Sequence, residues 1–231
     1  MNKATSLVMS HGLMGSIAYF SPAAHMDGLS VHTPDLIGYG SRANADAHAI
    51  TLEDQAKSVI RYLHERVGEP SWLLGHSVGG AVAMLVAAAE PSLVRGLISV
   101  EGNFTLNDAF WCRKIAALSD EEWSVEHRRM LDDPAAWLQN SGITLSAKRI
   151  AQANEILHNQ PRSTIAAMAR AVVRETGSPE FLQHARTVVS NGTPVHLLGG
   201  ERGTRVGRSG LGQDCVAKLC DPARHWPHDD A

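Results

Sequence analysis

The chain has 231 residues, of which 44% are hydrophobic, and this length suits one sizeable core with an insertion rather than two full domains. A formal net charge of −3 argues against a nucleic-acid binder, and no apolar run approaches the roughly 20 residues that span a bilayer. The cysteines, Cys112, Cys215 and Cys220, are too few for a disulfide framework, so we expect free thiols and a cytoplasmic location.

The first hundred residues alternate short apolar runs with longer stretches of helical periodicity. The apolar runs predict buried strands at residues 6–10, 29–33, 71–74 and 97–100. Helices are predicted at residues 51–67, where Thr51 and Asp54 form a capping pair and Gly68 ends the run, and at residues 79–89. Strands that alternate with helices in this way predict a parallel sheet with crossover helices.

A long helical block follows, from about residue 105 to residue 186. A capping box, Ser119 with Glu122, precedes the first of the predicted helices, which cover residues 123–131, 134–138, 147–158, 162–175 and 180–186. An ordinary crossover needs far fewer residues. We therefore predict a helical cap at residues 105–186, inserted into a core of residues 1–104 and 187–231. Strand patterns return at residues 195–198 and 216–219, on either side of a glycine-rich loop.

Residues 75–79, Gly-His-Ser-Val-Gly, match the pattern G-x-S-x-G between a predicted strand and a predicted helix. In this arrangement a sharp turn holds the serine hydroxyl out into a cleft, and the glycines avoid clashes with the neighbouring strand and helix. The pattern predicts that Ser77 is a nucleophile. The alternative is a tight turn in which Ser77 only caps the helix. A serine nucleophile also needs a histidine base, an orienting acid and backbone donors for the oxyanion.

Four motifs together resemble the α/β-hydrolase superfamily, in its capped, esterase-like branch. They are H-G-x-x-G at residues 11–15, the serine motif at residues 75–80, His-Trp-Pro at residues 225–227, and Pro-Asp-Leu-Ile-Gly-Tyr-Gly-Ser-Arg at residues 34–42, which resembles the family's P-D-x-x-G-x-G-x-S segment. They occur in the order typical of the family and cover nearly the whole chain outside the predicted cap. The resemblance implies an α/β-hydrolase fold: a mostly parallel sheet with helices on both faces, and a helical cap after the strand that follows the nucleophile helix.

The resemblance also implies roles for individual residues. The backbone N–H groups of Leu13 and Val78 would bind the oxyanion, and His225 would be the general base, with His228 as the alternative. We expect His11 to shape its turn rather than take part in the chemistry, and we expect His76, which flanks the predicted nucleophile, to be structural.

The acid is the least defined member of the triad. The family usually has an aspartate shortly after the strand at residues 195–198, but Gly203 occupies that position. Some family members carry the acid after the strand that follows the nucleophile helix, and there this chain has Glu101. Glu101 is therefore our candidate. Glu201, an unidentified acid or a Ser–His dyad are the alternatives.

The predicted function is hydrolysis of a carboxylic ester or thioester through an acyl-enzyme, with a small, partly apolar substrate and neither cofactor nor metal. The apolar character rests on five aromatic residues, Phe104, Phe110, Trp111, Trp123 and Trp137, that could line a lid. A C–C bond hydrolase and a non-catalytic ligand-binding protein are the alternatives. The sequence leaves open the substrate, the oligomeric state and whether the native chain extends beyond Ala231.

Overall fold

The computed structural model describes residues 4–47 and 50–199. The strands are β1 (Thr5–Ser10), β2 (Leu29–His32), β3 (Ser71–His76), β4 (Val94–Val100) and β5 (Val195–Leu198). The helices are α1 (Leu52–Tyr62), α2 (Val78–Ala89), α3 (Phe110–Ala116), α4 (Asp120–Asp132), α5 (Pro134–Asn140), α6 (Ala147–His158), α7 (Arg162–Thr176) and α8 (Pro179–Ser190). A π-helical turn, Leu63–Val67, continues α1.

The described strands form one parallel sheet with the order β2-β1-β3-β4-β5. The chain runs from β1 to β2 on one side and then adds β3, β4 and β5 on the other side. The loops that leave β1 and β3 therefore diverge, and a sheet of this kind leaves a crevice outside the carboxyl ends of its strands at that point. The segments that follow Ser10 and His76 border this crevice.

Helix α2 packs directly on the sheet. Nine of its twelve residues are buried, which fits its contacts with β1, β3 and β4 below it and with α1 and α8 beside it. Its residues are all Ala, Gly, Val, Met or Leu and give it no polar face, which suits this central position.

The predicted helix-capping residues have the expected hydrogen bonds. Thr51 Oγ1 accepts from the Asp54 N–H at 3.0 Å, and Gly68 ends the π-helical turn with φ 69°. At the start of α4, the Glu122 N–H donates to Ser119 Oγ at 3.2 Å, and the Ser119 N–H donates to Glu122 Oε2 at 2.8 Å.

Helices α6 and α7 are joined by a segment that contacts the loops after β1 and β2. The Gly15 N–H donates to Gln160 Oε1 at 2.8 Å, and the Gly40 N–H donates to the Asn159 carbonyl oxygen at 2.9 Å. Both acceptors are in the segment between α6 and α7. Since Gln160 is only 4% exposed, its hydrogen bond to Gly15 is shielded from water and fixes these helices to the loop after β1.

The predicted fold class is confirmed: a parallel sheet packed with helices, and a helical insertion after β4. Helix α3 was not predicted, since it is short, has no side-chain cap and buries only Cys112 and Ile115. Helix α8 is longer than predicted and continues past residue 187, so the division of the chain into core and cap stays a prediction.

The last predicted strand, at residues 216–219, lies outside the described residues together with Cys215 and Cys220. Cys112, which is described, is buried and forms no disulfide. In the described ranges, no helix combines the length and apolar character that crossing a membrane requires.

Candidate active site

Ser77 lies in a strained turn between β3 and α2. Its φ of 53° and ψ of −118° fall outside the regions that side-chain-bearing residues ordinarily occupy, at a cost of about 1–3 kcal/mol. Three backbone hydrogen bonds hold the turn. The Ser77 N–H donates to the Val100 carbonyl oxygen at 2.9 Å, and the Ser77 carbonyl oxygen accepts from the N–H groups of Gly80 at 2.9 Å and Asn103 at 3.1 Å. The turn is therefore tied to the end of β4 as well as to α2.

The two glycines of the motif are required by close backbone contacts. A Cβ atom on Gly79 would lie 2.2 Å from the Ser10 carbonyl oxygen, and one on Gly75 would lie 2.2 Å from the Gly79 carbonyl oxygen. Neither contact involves a flexible side chain that could move away. The absence of side chains at both positions thus lets α2 start directly against β1 and β3.

The turn after β1 lies against Ser77. A Cβ atom on Gly12 would be 3.3 Å from Ser77 Cβ and 3.0 Å from His76 Nδ1. The next residue, Leu13, is buried, and its carbonyl oxygen accepts from the Tyr39 hydroxyl at 2.9 Å. Within the described ranges, the backbone N–H groups of Leu13 and Val78 have no hydrogen-bond acceptor. These amides are the two that the family resemblance implies as oxyanion donors.

His11 is buried and has a hydrogen-bond partner at each ring nitrogen. Its Nδ1 lies 2.9 Å from the Gly12 carbonyl oxygen, and its Nε2 accepts from the Leu36 N–H at 3.3 Å. The ring also packs edge-on against Tyr39, with ring centroids 4.5 Å apart. Burial lowers the pKa of His11 to about 4, so the imidazole is neutral near pH 7. These contacts fit the expectation that His11 shapes the turn.

The Ser77 hydroxyl donates to Asn103 Oδ1 at 3.1 Å. Asn103 is 3% exposed, and its Nδ2 donates to the Asp108 carbonyl oxygen at 2.7 Å. Asn103 was not predicted from the sequence. The sequence indicates only its location: Asn103 lies two residues after Glu101 in the loop after β4, at the carboxyl edge of the sheet, where side chains can reach an active site.

Glu101 begins the loop after β4, directly beside the turn that holds Ser77. Val100 precedes it and pairs with His76 across the two strands. The backbone of Glu101 has φ 48°, and its N–H donates to the Leu198 carbonyl oxygen at 2.8 Å. Its side chain is exposed, and its charge opposes the desolvation that lowers the pKa of His76. Glu101 is thus at the crevice, adjacent to the predicted nucleophile.

The remaining candidates, His225 and His228 for the base and Glu201 for the acid, lie outside the described residues, and their roles stay predictions. The part of the chain that the structure describes holds no group of three or more His, Cys, Asp or Glu side chains arranged to bind a metal ion.

Comparisons with known proteins agree with the observed fold. A family model described as alpha/beta hydrolase fold matches residues 5–141. The chain is 30% identical over 234 residues to 2-succinyl-6-hydroxy-2,4-cyclohexadiene-1-carboxylate synthase from Salmonella schwarzengrund, an alignment that covers 98% of this chain and 87% of the synthase. A hydrolase structure from Pseudomonas aeruginosa superposes with a TM-score of 0.68 at 20% identity, covering 95% of this chain and 79% of that one.

Two lipases match only part of the chain. A human (lyso)-N-acylphosphatidylethanolamine lipase is 37% identical over 107 residues, which is 43% of this chain and 31% of the lipase. An sn-1-specific diacylglycerol lipase from Xenopus laevis is 36% identical over 99 residues, 41% of this chain and 31% of that lipase. The matched region thus spans less than a third of the length of these lipases.

The buried imidazole of His11 predicts a loss of stability in acid. The pKa of His11 is 6.5 in the unfolded chain and about 4 in the folded protein. Between pH 4 and pH 6.5, His11 is therefore protonated in the unfolded chain and neutral in the folded protein. The stabilisation from the neutral imidazole is complete above pH 6.5 and falls by about 3 kcal/mol by pH 4. Urea unfolding between pH 4 and pH 6.5 measures this change in the free energy of unfolding. His11→Gln, which stays uncharged, should show a shallower pH dependence, and equal slopes for both proteins would contradict the assignment.

Proposed function

This chain belongs to the α/β-hydrolase family, and on that premise we propose that it is a serine hydrolase that cleaves a carboxylic ester or thioester. The observation that carries the proposal is the strained turn at Ser77. It holds a hydroxyl-bearing residue at the crevice between β1 and β3, with the turn after β1 packed against it. Strain of this kind persists where the surrounding structure enforces it, which is typical of active sites.

The proposed reaction has two halves. Ser77 Oγ attacks the substrate carbonyl while His225 takes the hydroxyl proton, and the oxyanion binds the N–H groups of Leu13 and Val78. His225 then gives that proton to the leaving group, and water, activated by the same imidazole, hydrolyses the acyl-enzyme. Each oxyanion donor is worth about 10²–10³ in rate. The lack of an acceptor for the Leu13 and Val78 N–H groups within the described ranges supports this part of the proposal.

Glu101 is the proposed acid. Its support is its location at the carboxyl end of β4, one residue after the Val100 carbonyl oxygen that accepts from Ser77. A carboxylate there could orient an imidazole that approaches from the end of the chain and stabilise its protonated form. Glu201 stays the alternative.

The substrate is proposed to be an acyl ester with an apolar acyl group. Of the five aromatic residues that could line a lid, Phe104 and Trp123 are 2% and 1% exposed and pack inside the protein, so they are poor candidates for contact with substrate. Phe110, at 64% exposed, and the partly buried Trp111 and Trp137 stay available to form a lid. The lipase names of the partial relatives agree with an acyl substrate.

A second candidate is formation of 2-succinyl-6-hydroxy-2,4-cyclohexadiene-1-carboxylate. The Salmonella protein of that name aligns with 98% of this chain, whereas the alignments with the two lipases cover less than half of it. Hydrolysis of a C–C bond and ligand binding without catalysis, both compatible with the sequence, stay candidates as well. Product assays with each substrate class separate the enzymatic candidates from one another.

Ser77 should react with a serine-directed fluorophosphonate, because a strained and partly exposed serine with a base is nucleophilic. We expect a single adduct on Ser77 by peptide mass spectrometry. Ser77→Ala should lose the adduct and reduce ester turnover by at least about 10³-fold. Ser99→Ala is the matched control, since the Ser99 hydroxyl is buried and has no partner among the described residues. Folded wild-type protein without an adduct and without turnover would favour a non-catalytic ligand-binding protein.

The acid is identified by two isosteric substitutions. Glu101→Gln removes the charge that would stabilise the protonated His225, and we expect ester turnover to fall by about 10²–10⁴-fold. Glu201→Gln should leave turnover within about threefold of wild type. Loss of turnover in Glu201→Gln alone would show that Glu201, not Glu101, is the acid.

A further inference from the structure

The Ser77 hydroxyl is hydrogen-bonded to one side chain outside the proposed triad. We propose that Asn103 is a positioning residue for the nucleophile, which holds the Ser77 hydroxyl in its reactive rotamer through Oδ1. The inference rests on the proposed serine hydrolase function. Asn103 Oδ1 lies 3.1 Å from Ser77 Oγ, and the Asn103 N–H also donates to the Ser77 carbonyl oxygen at 3.1 Å. Asn103 thus contacts the nucleophile through its side chain and its backbone.

The orientation of the Asn103 amide is fixed by its other hydrogen bond. Nδ2 donates to the Asp108 carbonyl oxygen at 2.7 Å, so only Oδ1 is directed at Ser77. Asp108 is itself held in a closed turn, because its Oδ2 accepts from the Thr105 N–H at 3.0 Å and from the Thr105 hydroxyl at 2.8 Å. Since Asn103 is 3% exposed, its own side-chain hydrogen bonds are shielded from competition by water.

An amide oxygen suits this positioning role. A serine side chain has three staggered rotamers, and a fixed acceptor favours one of them before substrate binds. The amide oxygen is not basic, so it accepts the hydrogen bond without removing the proton. When the imidazole acts as base, the O–H bond needs only to rotate about the Cβ–Oγ bond, while Oγ stays in position. The proton then passes to the imidazole, and Asn103 is chemically unchanged.

The turn that orients Asn103 also connects β4 to the helical insertion. The Thr105–Asp108 hydrogen bonds close the segment immediately before α3, and the Asn103 amide is bonded to the end of this segment. The position of the Ser77 hydroxyl is therefore coupled to the base of the inserted helices.

Two substitutions separate positioning from stability. Asn103→Asp keeps an acceptor at Oδ1, and Asn103→Leu has a similar shape but no acceptor. Both lose the donor to the Asp108 carbonyl oxygen, and Asn103→Asp also buries a carboxyl group, so thermal unfolding of each variant is measured to establish that it is folded at the labelling temperature. The second-order rate of fluorophosphonate labelling at Ser77 is measured well below the unfolding temperature. Asn107→Asp and Asn107→Leu, at an exposed residue in the same turn, are the matched controls for charge and shape.

We expect Asn103→Leu to be labelled about five- to tenfold more slowly than wild type and Asn103→Asp within about threefold of it. Both Asn107 variants should be labelled at the wild-type rate. Equal labelling of Asn103→Leu and wild type, or equal losses in both Asn103 variants, would overturn the positioning role while leaving the serine hydrolase function intact. Absence of labelling in wild-type protein would instead overturn the proposed function and this inference with it.

Discussion

The positive φ of Ser77 is the constraint on which the arrangement of the site depends. A side-chain-bearing residue in this conformation costs about 1–3 kcal/mol, and the backbone hydrogen bonds with Val100, Gly80 and Asn103 hold it there. Those bonds require β4 to lie beside β3 in the observed register. The turn also requires α2 to start against β1, where Gly79 meets the Ser10 carbonyl oxygen. The parallel sheet and the strained serine thus depend on each other.

The inserted helices are bonded to the same loops that form the site. Gln160 binds the backbone of Gly15, Asn159 binds the backbone of Gly40, and Asp108 orients Asn103. The first two contacts join the α6–α7 segment to loops at the carboxyl edge of the sheet. The third lies within the segment that leads from β4 into the inserted helices. A change in this connection would consequently alter the surroundings of Ser77. This is a physical reason for proteins of this fold to differ in substrate while they keep the serine turn.

Features that depend on local pattern could be predicted from the sequence. Helix α6 and strand β5 have the predicted bounds, because their ends are marked by capping or turn residues on both sides. The turn glycines and the role of His11 in shaping its turn also follow from adjacent residues. Asn103 could not be found in this way, because its contact with Ser77 arises from the register in which His76 pairs with Val100.

The central claim is that the turn at residue 77 presents a nucleophilic hydroxyl to a carbonyl whose oxygen is bound by two backbone amides. The most direct measurement is a crystal structure of the native protein after reaction with diethyl 4-nitrophenyl phosphate. We predict phosphorus bonded to Ser77 Oγ, a positive φ retained at Ser77, and the phosphoryl oxygen within hydrogen-bond distance of the Leu13 and Val78 N–H groups. An unmodified Ser77, or a phosphoryl oxygen directed away from both amides, would contradict the claim.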